Sequence, residues 1–265
     1  MRSTVLKIIT IMLASFFLLA CETTRELQTQ RNEKKPNLID ASELNVQLAI
    51  GYIQRQQYKP ARDKLEKAID QNSDNLLAYK TLAYLYALLG LEKEAEEKYK
   101  EALDLKPDDP DLSNSYGAFL CSTGKLEEAQ EMFKVAYDNP FYDGQYLAQS
   151  NAGSCFIKQG DYKKAEALLR KSLRVQSNVP GSLISMADVG IKTERYLMAR
   201  AYIQRYHDVK SPSAESLWIQ IQAEKALGSE KHYLKYARQL ISEFPDSDEA
   251  GWVEAETNNE QIRLR

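Results

Sequence analysis

The sequence predicts an all-α fold, a right-handed superhelical solenoid of about six helix pairs closed by a C-terminal capping helix. Three observations carry this. Alanines recur at Ala61, Ala95, Ala129, Ala165 and Ala199, spaced 34, 34, 36 and 34 residues apart, most of them after a charged residue. Glycines precede three of them, at Gly90, Gly124 and Gly160. No strand-like alternation and no Gly-rich phosphate loop interrupts the pattern.

A period of 34 residues with these residues is that of the tetratricopeptide helix hairpin. Small residues let the second helix of a hairpin approach the first. Glycine suits the turn between them, because it takes a left-handed backbone at little cost. The units run over about residues 42–75, 76–109, 110–145, 146–179, 180–213 and 214–247 of the domain 38–265. Bulky residues fill the space around the small ones. Leu48, Tyr52, Leu82, Tyr86, Tyr116, Leu120 and Phe156 do so from the first helices, and Leu65, Tyr99, Phe133, Leu169 and Ile203 from the second. The two extra residues before the fourth unit fall in the loop at 139–146. The sixth unit is divergent, with Tyr233 at the small position. Asp246 and Glu249 resemble a helix start, and Trp252 on that helix is expected to cover the exposed core, as a terminal repeat requires.

The chain opens differently. Arg2 and Lys7 lead into an apolar run over 8–20, a secretory signal too short to span a bilayer comfortably. It ends in Leu18, Leu19, Ala20 and Cys21, which resembles the bacterial lipobox. That resemblance implies cleavage before Cys21 and lipidation of it, and Glu22 in place of Asp favours the outer membrane. Removing residues 1–20 takes away Arg2 and Lys7, so the net charge of −3 becomes −5. Residues 21–37 are polar and read as a lipidated tether with a reach of about 25 Å.

A net charge of −3 gives no general pull towards nucleic acid or anionic lipid. His207 and His232, the two histidines, lie outside any metal-ligand spacing and are expected on helix surfaces. The acids around Glu92 and Glu97 stand at helical spacing beside lysines, as solvated pairs do. No catalytic residue, metal site, cofactor or small-molecule substrate is expected.

Binding remains. The concave surface of such repeats is lined by the first helix of each pair. The first two units place Val46, Ile50, Ile53, Leu77, Tyr84, Ala87 and Leu88 there; the third to fifth place Asp111, Asn114, Ser122, Ser150, Ser154, Lys158, Asp188 and Lys192. An apolar cluster facing solvent predicts a groove for an extended or helical apolar peptide.

Several strings sharpen this: NSYGAFLCSTG at 114–124, EAQEMF at 128–133, NAGSC at 151–155, YLMARAYIQRY at 196–206, AESLW at 214–218 and ALG at 226–228. Together they resemble the type IV pilus biogenesis and stability lipoproteins, the PilF/PilW family. The resemblance implies an outer-membrane pilotin, lipid-anchored in the inner leaflet and facing the periplasm. Its implied partner is the pilus secretin, whose outer-membrane localisation and multimer assembly it promotes. The rival is a general periplasmic adaptor lipoprotein for envelope or peptidoglycan assembly.

Cys121 and Cys155 fall at nearly matching positions of adjacent units. Neighbouring first helices run side by side, the export signal implies an oxidising compartment, and lipid would consume Cys21. A Cys121–Cys155 disulfide is therefore expected, the alternative being two buried free thiols.

Overall fold

The computed structural model describes residues 37–259, and these form thirteen helices and no strand. They fall into two compact units that divide within the third helix, after Leu85. The signal, Cys21 and most of the tether lie outside the described residues. No described helix is long and apolar enough to cross a membrane.

The first unit holds α1 (Leu38–Gln54), α2 (Tyr58–Gln71) and the start of α3 (Leu76–Leu88). Asn37 caps α1 by accepting from the Ile39 N–H at 3.1 Å, which satisfies one of the free donors of the first turn. Ala49, Ala61, Leu65, Ala68, Ala78 and Leu82 are buried, so the small positions read from the sequence are indeed core. Leu48 is not. It is exposed, and the buried stripe of α1 runs through Ser42, Asn45, Val46 and Ala49 instead. Polar groups occupy part of that stripe. Ser42 Oγ donates to the Ala68 carbonyl at 2.7 Å and accepts from Asn75 at 2.8 Å, while Asn45 donates to Gln71 at 2.8 Å. This network sets the rotation of α1 and turns Leu48 outwards.

The second unit contains α4 (Glu92–Leu105), α5 (Pro110–Ser122), α6 (Leu126–Asp138), α7 (Gln145–Lys158), α8 (Tyr162–Val175), α9 (Pro180–Lys192) and α10 (Tyr196–Val209). It closes with α11 (Ala214–Ala226), α12 (Glu230–Glu243) and α13 (Asp248–Asn259). The odd-numbered helices from α5 to α13 pack side by side, and even-numbered helices pack behind them. One face of the odd-numbered row is thereby left to solvent.

Close approach within the hairpins has a visible cause. A Cβ on Gly190 would lie 2.7 Å from the Ala199 backbone nitrogen, so only glycine lets α9 meet α10 there. The hairpin turns take a left-handed backbone at Gly90, Gly124, Gly160 and Gly228. Two hairpins lack the glycine and force Gln56 and Glu194 into the same region, with φ of 59° and 57°.

The C-terminal end departs from expectation in two details. Ser247, not Asp246, caps α13: its Oγ accepts from the Ala250 N–H at 3.2 Å. Ala250 and Val253, not Trp252, seal the last core with Leu217, Ile221, Tyr233, Ala237 and Leu240. Trp252 is 48 % exposed. Residues 250 and 253 share the inward face of the helix, and 252 lies well to one side of it.

Candidate protein-binding surfaces

In the first unit the apolar positions sort into two groups. Val46 was expected in the groove but is only 1 % exposed and belongs to the core. The polar network that rotates α1 carries Val46 inwards with it. Ile50 is exposed and Ile53, one turn on, is half-buried. On α3, Leu77 is exposed, and Tyr84 two turns later is 50 % exposed. Ile50, Leu77 and Tyr84 thus stay in water, in a unit whose core is built from Val46, Ala49, Ala61, Leu65, Ala68 and Leu82. Leu88 is exposed as well; it ends α3, beyond the division.

The solvent face of the second unit is polar. Asn151 of α7 donates to Asn114 of α5 at 3.0 Å, and Ser154 of α7 meets Ser185 of α9 at 2.7 Å. Lys158 Nζ reaches the Cys121 carbonyl at 3.4 Å. Ser122, Asp188 and Lys192 are at least partly open, whereas Ser150 is buried and drops out of the face. Tyr142, in the loop with the two-residue insertion, donates to Asp111 at 3.3 Å. Burial first, and then Asp111, push its hydroxyl up to about 12. The same loop leaves the neighbouring Phe141 93 % exposed.

Cys121 of α5 and Cys155 of α7 are joined as a disulfide, their Cα atoms 5.9 Å apart. Both are buried in the second unit. His232 is exposed on α12 as expected, and His207 is half-buried on α10. Its Nε2 lies 3.1 Å from Ser216 Oγ, and burial holds its imidazole below the usual value. The acids of α4 do pair at helical spacing: Glu96 with Lys100 at 2.8 Å, and Glu101 with Lys98 at 2.6 Å. Lys125 of α6 adds a longer-range pair to Glu96 at 2.7 Å. Among the described residues no group of three acidic, histidine or cysteine side chains could hold a metal ion.

Tetratricopeptide repeat models match residues 46–110 and 148–179. The crystal structure of PilW, a widely conserved type IV pilus biogenesis factor, is 32 % identical in sequence. It matches 80 % of this chain and 97 % of its own with a TM-score of 0.74. The chain belongs to the PilF/PilW family of type IV pilus biogenesis proteins.

The solved structure of Pseudomonas aeruginosa PilF agrees, at 28 % identity and a TM-score of 0.72 over 82 % of this chain and 98 % of that one. The curated type IV pilus assembly protein PilF of that organism is 27 % identical over 252 residues, covering 93 % of this chain and 99 % of the relative. The all-α tetratricopeptide fold and the pilus connection of the PilF/PilW family therefore hold for this chain. A tetratricopeptide protein of pilus biogenesis works through a protein partner.

Sequence reasoning missed several residues of the solvent face: Tyr142, Asn151, Glu215, Trp218 and Glu249. The repeat gave a usable signal for most of them. Glu215 and Trp218 occupy the second and fifth positions of the sixth unit, and Glu249 and Trp252 the same positions of the next. Tyr142 had no such signal, because it lies in an insertion.

Proposed function

We propose that this chain is an outer-membrane lipoprotein, anchored through Cys21, that binds the pilus secretin and promotes its localisation and multimer assembly. The observation that carries the reading is the set of exposed apolar residues Ile50, Leu77 and Tyr84 in the first unit of a PilF/PilW family member. Large apolar groups left in water at the repeat's binding positions favour capture of an apolar peptide segment. Lipid on Cys21 then holds that cargo at the membrane, since each buried methylene adds about 0.8 kcal/mol of anchoring.

The test is co-purification of the secretin from detergent-solubilised membranes. The intact chain should retain it. Ile50→Asp with Tyr84→Asp should lose it at unchanged helicity, and Cys21→Ser should leave capture intact while mislocalising the complex. A deletion strain should lack secretin multimers and surface pili. Normal pili with envelope defects would instead identify a general envelope adaptor.

A further inference from the structure

The solvent face of the second unit ends in a constellation that the secretin reading does not use. Trp218 of α11 and Trp252 of α13 stand with ring centroids 5.3 Å apart and planes at 57°. Glu215 lies one turn before Trp218, and Glu249 one turn before Trp252, each on the face its tryptophan shares. Asp188 of α9 belongs to the same group. Burial raises the Glu215 carboxyl above its ordinary value, and the nearby charges of Asp188 and Glu249 raise it further. Burial raises Asp188 too, against the opposing pull of Lys192 one turn on. Two turns beyond Trp218, Lys225 is closed off at 3.1 Å by Glu256, one turn beyond Trp252.

No salt bridge reaches Asp188, Glu215 or Glu249 among the described residues. Their arrangement could not hold a metal ion there either. An anionic lipid surface is disfavoured by the sign of the charge. What remains open is a half-exposed indole beside Glu215 and Glu249, which no salt bridge reaches among the described residues. Indole is the best aromatic partner for a cation, and carboxylates give arginine charge-assisted hydrogen bonds. Charge complementarity therefore names the occupant.

We propose that this face is a second docking surface, whose occupant is an extended cationic segment of a protein partner, with arginine or lysine side chains set against Trp252 and reaching Glu215 and Glu249. It is independent of the apolar residues of the first unit. Two separate surfaces would let one chain hold an apolar segment and a basic one at the same time.

The test is fluorescence anisotropy on the full-length chain in detergent, with a labelled peptide alternating arginine and leucine. Its counterpart carries glutamate in place of each arginine. The cationic peptide should bind and the acidic one should not. Trp252→Ala, and separately Glu215→Gln with Glu249→Gln, should weaken binding on the order of tenfold. Glu127→Gln with Glu128→Gln, an equal charge change on exposed positions of α6, should leave it unchanged, as should Ile50→Asp with Tyr84→Asp. Circular dichroism checks the fold of each variant, and the isosteric glutamine pair decides the matter if Trp252→Ala unfolds. Equal weakening by the two glutamine pairs would reduce the effect to general electrostatics and overturn the proposal. So would a dimer dispersed by Trp252→Ala, which would make a second copy the occupant.

Discussion

Arg200 closes both arms of its guanidinium on Glu224: Nε lies 3.0 Å from one carboxylate oxygen and an Nη 2.5 Å from the other. Glu224 is 2 % exposed, and Gln220 donates to it as well. The pair ties α10 to α11, with the carboxylate buried and the guanidinium partly open to solvent. Breaking a buried pair costs more than the pair contributes, because one charge is left without its partner. Arg200→Ala should therefore lower the unfolding free energy by about 3 kcal/mol, read from urea denaturation. Arg200→Lys should recover only part of it, since lysine cannot make the two-armed contact.

Glu194 turns the α9–α10 hairpin at φ 57°, where the other turns mostly use glycine. Its side chain is exposed. Replacing it with glycine removes the steric cost of a left-handed residue but adds chain entropy to the unfolded state. The balance should stabilise the protein by roughly 0.5–1 kcal/mol. A Glu194→Gly variant melting below the parent would show that the turn carries no strain.

Glu215 gives a dependence on pH. Burial, then Asp188 and Glu249, hold its carboxyl above the ordinary value. Between the unfolded and the raised folded value, the folded chain binds more protons, so stability falls as pH rises through that interval and stays lower above it. Glu215→Gln should thus melt higher than the parent at pH 7. The difference should shrink as pH drops below about 4, where the glutamate is protonated in both states. Thermal melts at the two pH values check the sign.

Protein prepared from an oxidising compartment and denatured without reductant should show no free thiol at Cys121 or Cys155. The bridge spans 34 residues of sequence. Constraint of the unfolded chain over a loop of that size is worth roughly 3–4 kcal/mol. Reduction, or Cys121→Ala with Cys155→Ala, should lower the denaturation midpoint accordingly.

The repeat was legible in the sequence because alanine and glycine at fixed spacing record helix contacts directly. Ala61, Ala95, Ala129, Ala165 and Ala199 are all fully buried. Rotation about a helix axis was harder to read. Val46 and Leu48 are both apolar, and either could face the core. What decides is the hydrogen bonding of Ser42 and Asn45 to α2 and to the turn after it, which a pattern of apolar residues does not record. Trp252 failed for a related reason, since large size suggested a plug while its place on the helix put Val253 there instead. The tryptophan pair becomes visible only when α11 and α13 are laid side by side.

The Cys121–Cys155 bridge also changes how the second unit can come apart. Helix pairs that touch only their neighbours unzip from a free end, one hairpin after another. The bridge encloses α6 in a closed covalent ring with parts of α5 and α7. Fraying that starts at α13 can run inwards through α8 and must stop at that ring, because α7 cannot leave α5. The ring is thus a fixed seed from which the outer hairpins can re-form after a partial opening.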